Sequence, residues 1–213
     1  GGVDMSSQRS TKKQWQVWLM ILMLGGVIAA GFLIYPKTED QRNRLLVKLG
    51  TTNHGEFVLP PVSMTDLDLQ DVAGGSWVLA EKKNRWRIIV AGDGECLGRC
   101  RELVHLTRQV HISLGKYSRR FSRLYLALDQ EPTEEFSAYL KLNHPFLKVV
   151  NGRKKEFKVL LEKTNTPFQT KSPVSMRAYL VDQQGLIMMS YGIKSKGTDI
   201  IEDIKHLMKY SAQ

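Results

Sequence analysis

The chain begins with a short polar stretch and then turns abruptly apolar. From Gln14 to Pro36 no residue is charged, and Trp18 to Tyr35 is almost wholly apolar. About twenty such residues suffice for a helix to cross a bilayer core of roughly 30 Å. Trp15, Trp18 and Tyr35 sit at the ends of the run, where interfacial aromatics belong. The pattern predicts a single transmembrane anchor over 14–36, with an N-terminal tail over 1–13 and a linker over 37–54. Ala29-Ala30-Gly31 offers a small-residue cleavage site for a signal peptide. The apolar run continues through Phe32 to Tyr35 beyond it, which favours an uncleaved anchor. Arg9, Lys12 and Lys13 before the span are balanced by Lys37, Arg42 and Arg44 after it, so flanking charge does not set orientation. A short basic tail usually stays inside while a long domain is translocated. The expected location is therefore the inner (plasma) membrane, with the tail cytoplasmic and the domain over 55–213 periplasmic.

Beyond the linker the period of the pattern changes repeatedly. Gly55 to Leu59 reads as a short strand ended by Pro60-Pro61, Leu67-Asp68-Leu69 as a second and Trp77 to Ala80 as a third, with Gly74-Gly75 as a tight turn. Trp86 to Val90 is an apolar run of strand type. Cys100, Leu103, Val104, Thr107, His111 and Leu114 then recur at helical spacing until Gly115. Leu124 to Leu128 forms a strand closed by Asp129. Pro132 suits the first turn of a helix whose apolar face is Phe136, Tyr139 and Leu140. Leu147 to Val150 is a strand, and Phe157, Leu160 and Leu161 mark a helix. Ala178 to Val181 and Leu186 to Met189, joined by Asp182 to Gly185, read as a hairpin. Ile200, Ile201, Ile204, Leu207 and Met208 trace a closing helix. Alternation of this kind implies an α/β fold, a mixed sheet flanked by helices.

Composition changes this picture little: 42% of residues are hydrophobic, which suits a packed domain. The net charge of +10 raises the question of nucleic acid, but the basic residues are spread along the chain and no recognition motif accompanies them. A membrane surface or an acidic protein partner fits better, and no nucleic-acid partner is expected. No Ser–His–Asp set, paired-carboxylate site, phosphate loop or zinc-type cysteine cluster is present, which argues against a conventional hydrolase or transferase. Whether the chain is an enzyme at all turns on its cysteines.

Those are Cys96 and Cys100, the only two, set directly after the Trp86 to Val90 strand and a glycine-containing turn. Strand, turn and a Cys-x-x-x-Cys at the start of a helix place two thiols where a thioredoxin-like fold keeps its reactive site. The domain resembles the Sco/SenC family, membrane-anchored thioredoxin-like proteins of cytochrome c oxidase copper-centre assembly, over roughly Gly55 to Tyr210. The resemblance rests on the Cys-x-x-x-Cys, on Asp129 and on His144-Pro145-Phe146-Leu147-Lys148-Val149-Val150-Asn151-Gly152. Tyr179 to Gly185 with Tyr191-Gly192, and Lys196-Gly197 with the closing helix, also carry it. It implies a role in oxidase assembly, with a copper-receiving oxidase subunit or another assembly protein as partner and copper bound by Cys96 and Cys100. Three departures stand out, one being that the family's acidic loop after the second strand is reduced to Asp129. Leu97 and Arg101 stand where the family places prolines, and Val174 stands where counting back from Gly185 reaches the family's histidine ligand.

The chemistry of the pair leaves four readings open: a structural disulfide, a redox pair exchanging with a partner's thiols, a Cu(I) site, or an inert pair in a docking surface. Thiols four apart on a helix lie about 5–6 Å apart at Cβ, whereas a disulfide prefers roughly 3.5–4.5 Å, so bridging requires Cys96 in the turn. Arg99, Arg101 and the helix N-terminus favour thiolates. Two soft thiolates suit Cu(I) but want a third donor. On the helix itself His105 is rotated off the cysteine face and His111 lies about 16 Å along it. Met176 and His144 are the candidates from other loops. His105, His111 and His206 read as ordinary helix-face residues, and Met188 and Met189 as strand residues.

Overall fold

The computed structural model describes residues 7–34, 54–77, 85–168 and 176–210. The chain divides into two units, 1–46 and 47–213. The first contains helix α1 (Ser7–Ile34), which starts inside the expected polar tail. Its side chains from Trp15 to Val27 include many large, exposed apolar groups. Among the described residues no helix is long and apolar enough to cross a membrane.

In the second unit the described strands are β1 (Glu56–Ser63), β2 (Gln70–Asp71), β3 (Trp86–Gly92), β4 (Phe121–Leu128), β5 (Leu147–Gly152), β6 (Arg177–Val181) and β7 (Leu186–Gly192). The helices are α2 (Arg99–Ser113), α3 (Glu134–Asn143), α4 (Lys154–Glu162) and α5 (Gly197–Tyr210). One mixed sheet runs in the order β1-β7-β6-β3-β4-β5-β2. β3, β4 and β5 are parallel, linked through α2 and α3, while β6 and β7 form an antiparallel hairpin beside β3. This is the thioredoxin-like arrangement that the alternation of periods predicts.

Strand parity sorts the core into two layers. Ile88, Val90, Phe121, Tyr125, Ala178 and Leu180 face a cluster shared with Cys100, Leu103 and Val104 of α2, Phe136 of α3, and Ile200 and Ile204 of α5. Ile89, Ala91, Leu124, Leu126, Tyr179 and Val181 face the other side, where Phe157, Leu160 and Leu161 of α4 cover them. All seven positions of β3 are buried, as expected for a central parallel strand covered on both faces. Each such large apolar side chain contributes roughly 1.5–3 kcal/mol. Burial on both faces explains why this strand is uncharged at every position but Arg87, whose Nη1 donates to Arg85 O at 3.0 Å.

The sheet edges depart from the expectation. β1 runs through Pro60-Pro61 instead of ending there, with a cis Leu59–Pro60 bond and a register shift between Phe57 and Val62. An edge strand tolerates proline because one side of its backbone needs no partner in the sheet. Here Asn165 substitutes for one: its Oδ1 accepts from Leu59 N at 2.8 Å and its backbone N–H donates to Leu59 O at 2.9 Å. Leu67-Asp68-Leu69 is not a strand. A 3-10 turn over Met64–Asp66 precedes it, and pairing begins only at Gln70. Ser76 pairs with Gln70 and Trp77 N donates to Leu69 O at 2.8 Å, while residues 78–80 of the third expected strand lie outside the described residues. Pro132 precedes α3 instead of opening it, because Thr133 is the N-cap and accepts from Phe136 N.

Candidate functional site

At the C-terminal end of β3 the chain must leave the sheet and start a helix, and local residues shape that turn. Asp93 Oδ1 accepts from the N–H groups of Glu95 at 3.0 Å and Cys96 at 2.8 Å, an Asx-type turn. Cys96 takes φ 47° and Gly98 φ 56°, the left-handed region that Gly98 occupies at little cost. Gly98 then caps α2 without a side-chain hydrogen bond, and Cys100 falls in the first helical turn. Cys96 is therefore in the turn and Cys100 in the helix, with Cα atoms 5.0 Å apart, and the two are joined in a disulfide. This is the arrangement that the spacing argument requires for bridging.

Both cysteines are buried, at 1% and 2% exposure, so a bulky thiol partner reaches the sulfurs only if the turn moves. The exposed large apolar residue of the turn is Leu97. Behind the pair stands Tyr125 of β4, whose hydroxyl lies 3.5 Å from Cys100 Sγ and donates to Asp93 O at 2.6 Å. Burial, and secondarily the charge of Asp93, hold that phenol well above its usual pKa, so it stays a donor. Gly92 makes the approach possible: a Cβ there would run into the Tyr125 hydroxyl and come within 3.1 Å of Cys100 Sγ. Phe136 packs edge-on to Tyr125 at 5.0 Å. Gly94 O accepts from Thr133 N at 2.9 Å, which ties the turn to the start of α3.

The two arginines beside the pair are engaged elsewhere. Arg99 pairs with Glu102 at 3.0 Å, and Arg101 with Glu135 at 3.1 Å. Arg101 also donates from Nε to Cys96 O at 3.0 Å and lies 4.8 Å from the centre of the Tyr139 ring. It thus holds the turn through a backbone carbonyl, and its charge is shared with a carboxylate. Asp129, at φ 62°, accepts at Oδ1 from Lys154 N at 2.9 Å and so caps α4. Its role in this structure is architectural.

The histidines lie apart from the sulfurs. His144 is buried beside Arg123, at the Leu147 end of β5, four residues down the sheet from the rung where Ala127 meets Gly92. At about 3.3 Å per residue that is about 13 Å from the cysteine end. His144 hydrogen-bonds Tyr139 Oη at 3.2 Å, and His105 packs edge-on against it at 6.4 Å. His111 packs on Phe121 and lies 3.3 Å from Ser118 O. No cluster of three or more His, Cys, Asp or Glu suited to a metal occurs among the described residues. Val174 lies outside the described residues. Met176 belongs to them, half-buried and packed on the same cluster as both cysteines. Sequence reading missed Asp93, Gly92 and Tyr125. Asp93, two and three residues ahead of the N–H groups it accepts, was the one visible signal.

Fold and site together define a thioredoxin-fold protein whose disulfide ties the β3–α2 turn to the first turn of α2. The chain belongs to the family described as transmembrane-like, thioredoxin-like, C-terminal domain, whose model matches residues 86–211. Among solved structures, yeast Sco1 with copper bound is similar at 18% identity, over 76% of this chain and 97% of that one, with a TM-score of 0.54. BsSco, described as a Sco-family cytochrome c oxidase assembly protein with a disulfide switch, is similar at 15% identity, over 75% of this chain and 98% of its own, with a TM-score of 0.52. A thiol:disulfide interchange protein of the thioredoxin family from Chlorobium tepidum is similar at 14% identity, over 68% and 95% respectively, with a TM-score of 0.51. At these identities the likeness is one of fold, and the Sco-type fold expected from the sequence is the fold present. No curated protein sequence matches the chain.

Proposed function

We propose that this chain is a membrane-tethered, Sco-like thiol and copper protein that assists cytochrome c oxidase assembly. Its apolar segment over 14–36 would hold it in the inner membrane, with the domain on the periplasmic side. The observation that carries the reading is the Cys96–Cys100 disulfide at the β3–α2 turn, with the Tyr125 hydroxyl against Cys100. Yeast Sco1 holds copper on the same fold, and BsSco is described as an oxidase assembly protein with a disulfide switch. Copper in this reading is cargo, carried and handed on.

The chemistry is that of a gated pair. A partner dithiol opens the Cys96–Cys100 bond by exchange: the partner's two thiols become a disulfide, and two electrons and two protons pass to this chain. The resulting thiols accept Cu(I) as thiolates, with release of their protons. The disulfide also supports a second reading, a membrane-anchored thiol–disulfide oxidoreductase that carries no copper. Cu(I) titration of the reduced, detergent-solubilised full chain decides between them. One equivalent bound tightly, and weakened at least a thousandfold by Cys96→Ser, about 4 kcal/mol, supports the copper reading. Absence of binding beside a measurable exchange-competent potential supports the oxidoreductase. If Cys96→Ser and Cys100→Ser leave oxidase assembly intact, neither thiol role survives and the fold serves as a docking surface.

A further inference from the structure

Two thiolates leave Cu(I) one donor short of a trigonal site. Within the copper reading, on which this inference rests, the third donor can be sought by register. β3 and β6 pair antiparallel from Arg87↔Val181 to Val90↔Ala178. Carried two residues further, the same register sets Met176 level with Gly92. Directly opposed residues of an antiparallel pair share a face, with Cβ positions about 5 Å apart. The Cβ position of Gly92 lies 3.1 Å from Cys100 Sγ. Met176 stands in phase with Ala178 and Leu180, which face the cysteine-containing cluster, and is packed on that cluster itself. Its flexible chain of three rotatable bonds carries a soft thioether.

Three other described donors fail the same test. His144 is about four residues down the sheet. Met189 pairs with Leu180, which is level with Ile88 and again four residues below Gly92, and it already accepts from Tyr191 Oη at 3.5 Å. Met64 belongs to the opposite layer. A valine at position 174 is then no obstacle, because an all-sulfur set suits Cu(I) at least as well as one with a histidine.

We propose that Met176 is the third Cu(I) donor, completing a Cys96–Cys100–Met176 site once the disulfide is reduced. The chain has only two cysteines, so a third sulfur on the metal has to be a methionine. X-ray absorption on the Cu(I)-loaded full chain, labelled with selenomethionine, is expected to show two sulfurs and one selenium. Met176→Leu, close in volume, is expected to lose the selenium shell and at least tenfold in affinity against a chromogenic Cu(I) chelator. Its disulfide formation and thermal unfolding should stay near wild type. A copper-loaded wild type without selenium scattering, or a Met176→Leu variant with unchanged affinity, overturns the Met176 assignment and leaves the copper reading standing. A wild type that binds no Cu(I) overturns both. The selenium measurement needs no variant, so a folding defect in Met176→Leu does not spoil the test.

Discussion

The face of the sheet under α2 and α3 has two buried ends that differ in kind. At the C-terminal end of β3 and β4, Cys96, Cys100, Tyr125 and Asp93 form a closed set in which the polar groups are bonded to one another. At the N-terminal end, Arg123 and His144 are just as buried, with Arg108 and His105 of α2 close by. There Arg123 Nε and Nη1 and His144 Nδ1 have no hydrogen-bond partner among the described residues. Burial lowers the guanidinium of Arg123 to about 10 and the imidazole of His144 to about 4, with neighbouring cations adding to both shifts. Strong perturbation thus occurs at both ends, in the Tyr125 phenol beside the sulfurs and in Arg123 and His144 away from them. Perturbation alone is a poor guide to a reactive site, because a structural cluster of like charges produces it too. The turn is the better pointer because it joins the disulfide to a left-handed φ at Cys96; a left-handed φ alone does not suffice, since Asp129 has one in a capping role.

If the cysteine end is as tightly packed as its contacts imply, one methyl group should disturb it. Gly92→Ala places a Cβ against the Tyr125 hydroxyl, the end of a rigid, buried ring already bonded to Asp93 O, and against Cys100 Sγ. Overpacking of this sort costs about 2–3 kcal/mol. The midpoint of urea unfolding should fall accordingly at unchanged m-value. A variant within about 0.5 kcal/mol of wild type, the range of an inert surface change, would mean that the two ends do not differ in packing.

How far the sequence carries this contrast depends on what kind of signal each part leaves. β3, α2, α4, the hairpin and α5 were readable because a two-sided apolar run or a 3.6-residue repeat records burial directly. The cysteine turn was readable because strand, turn and helix start are contiguous. The edges were not: Pro60-Pro61 breaks a central strand but not the edge that β1 occupies, and Leu67 to Leu69 alternates without pairing. Tyr125 and Gly92 meet Cys100 only through the β3–β4 register, which no local pattern encodes. The same holds for the choice between His144 and Met176. Both looked available in the chain, and the register of two strand pairs separates them.

The basic end can be tested by pH. His144 is expected to be neutral in the fold at neutral pH, facing Arg123 of β4, Arg108 and His105 of α2, and Tyr139 of α3. Its ordinary pKa of about 6.5 applies in the unfolded chain. As pH falls from about 6.5 towards about 4, the unfolded state takes up the proton first and stability is lost; above that window His144 contributes no slope. Between about pH 7 and pH 4.5 the loss assigned to His144 should be about 2 kcal/mol, read as the difference between wild type and His144→Gln in urea unfolding at both pH values. Cu(I) affinity at neutral pH should be the same in the two proteins, which separates this end from the sulfur site. An affinity drop in His144→Gln would join the ends that the register keeps apart.

The smallest effect concerns the hydroxyl at the cysteine end. In the disulfide state Tyr125 Oη donates to Asp93 O at 2.6 Å, and Cys100 Sγ at 3.5 Å is the longer contact. Its phenol stays protonated well above the usual range, so it has a single hydrogen to give. If that hydrogen remains on Asp93 O after reduction, Tyr125→Phe weakens oxidised and reduced forms alike. Unfolding free energy then drops by about 1 kcal/mol, the net worth of one hydrogen bond, and the reduction potential moves by less than about 15 mV. If instead the hydroxyl swings to a Cys100 thiolate, its removal costs the reduced form that charge-assisted bond and the oxidised form only the bond to Asp93 O, and the potential should fall by about 30 mV for each ~1.4 kcal/mol by which the first exceeds the second. The short bond to a carbonyl that also belongs to the turn favours the first outcome. A redox titration of Tyr125→Phe against glutathione, beside its urea midpoint, separates an anchor for the turn from a direct partner of the sulfur.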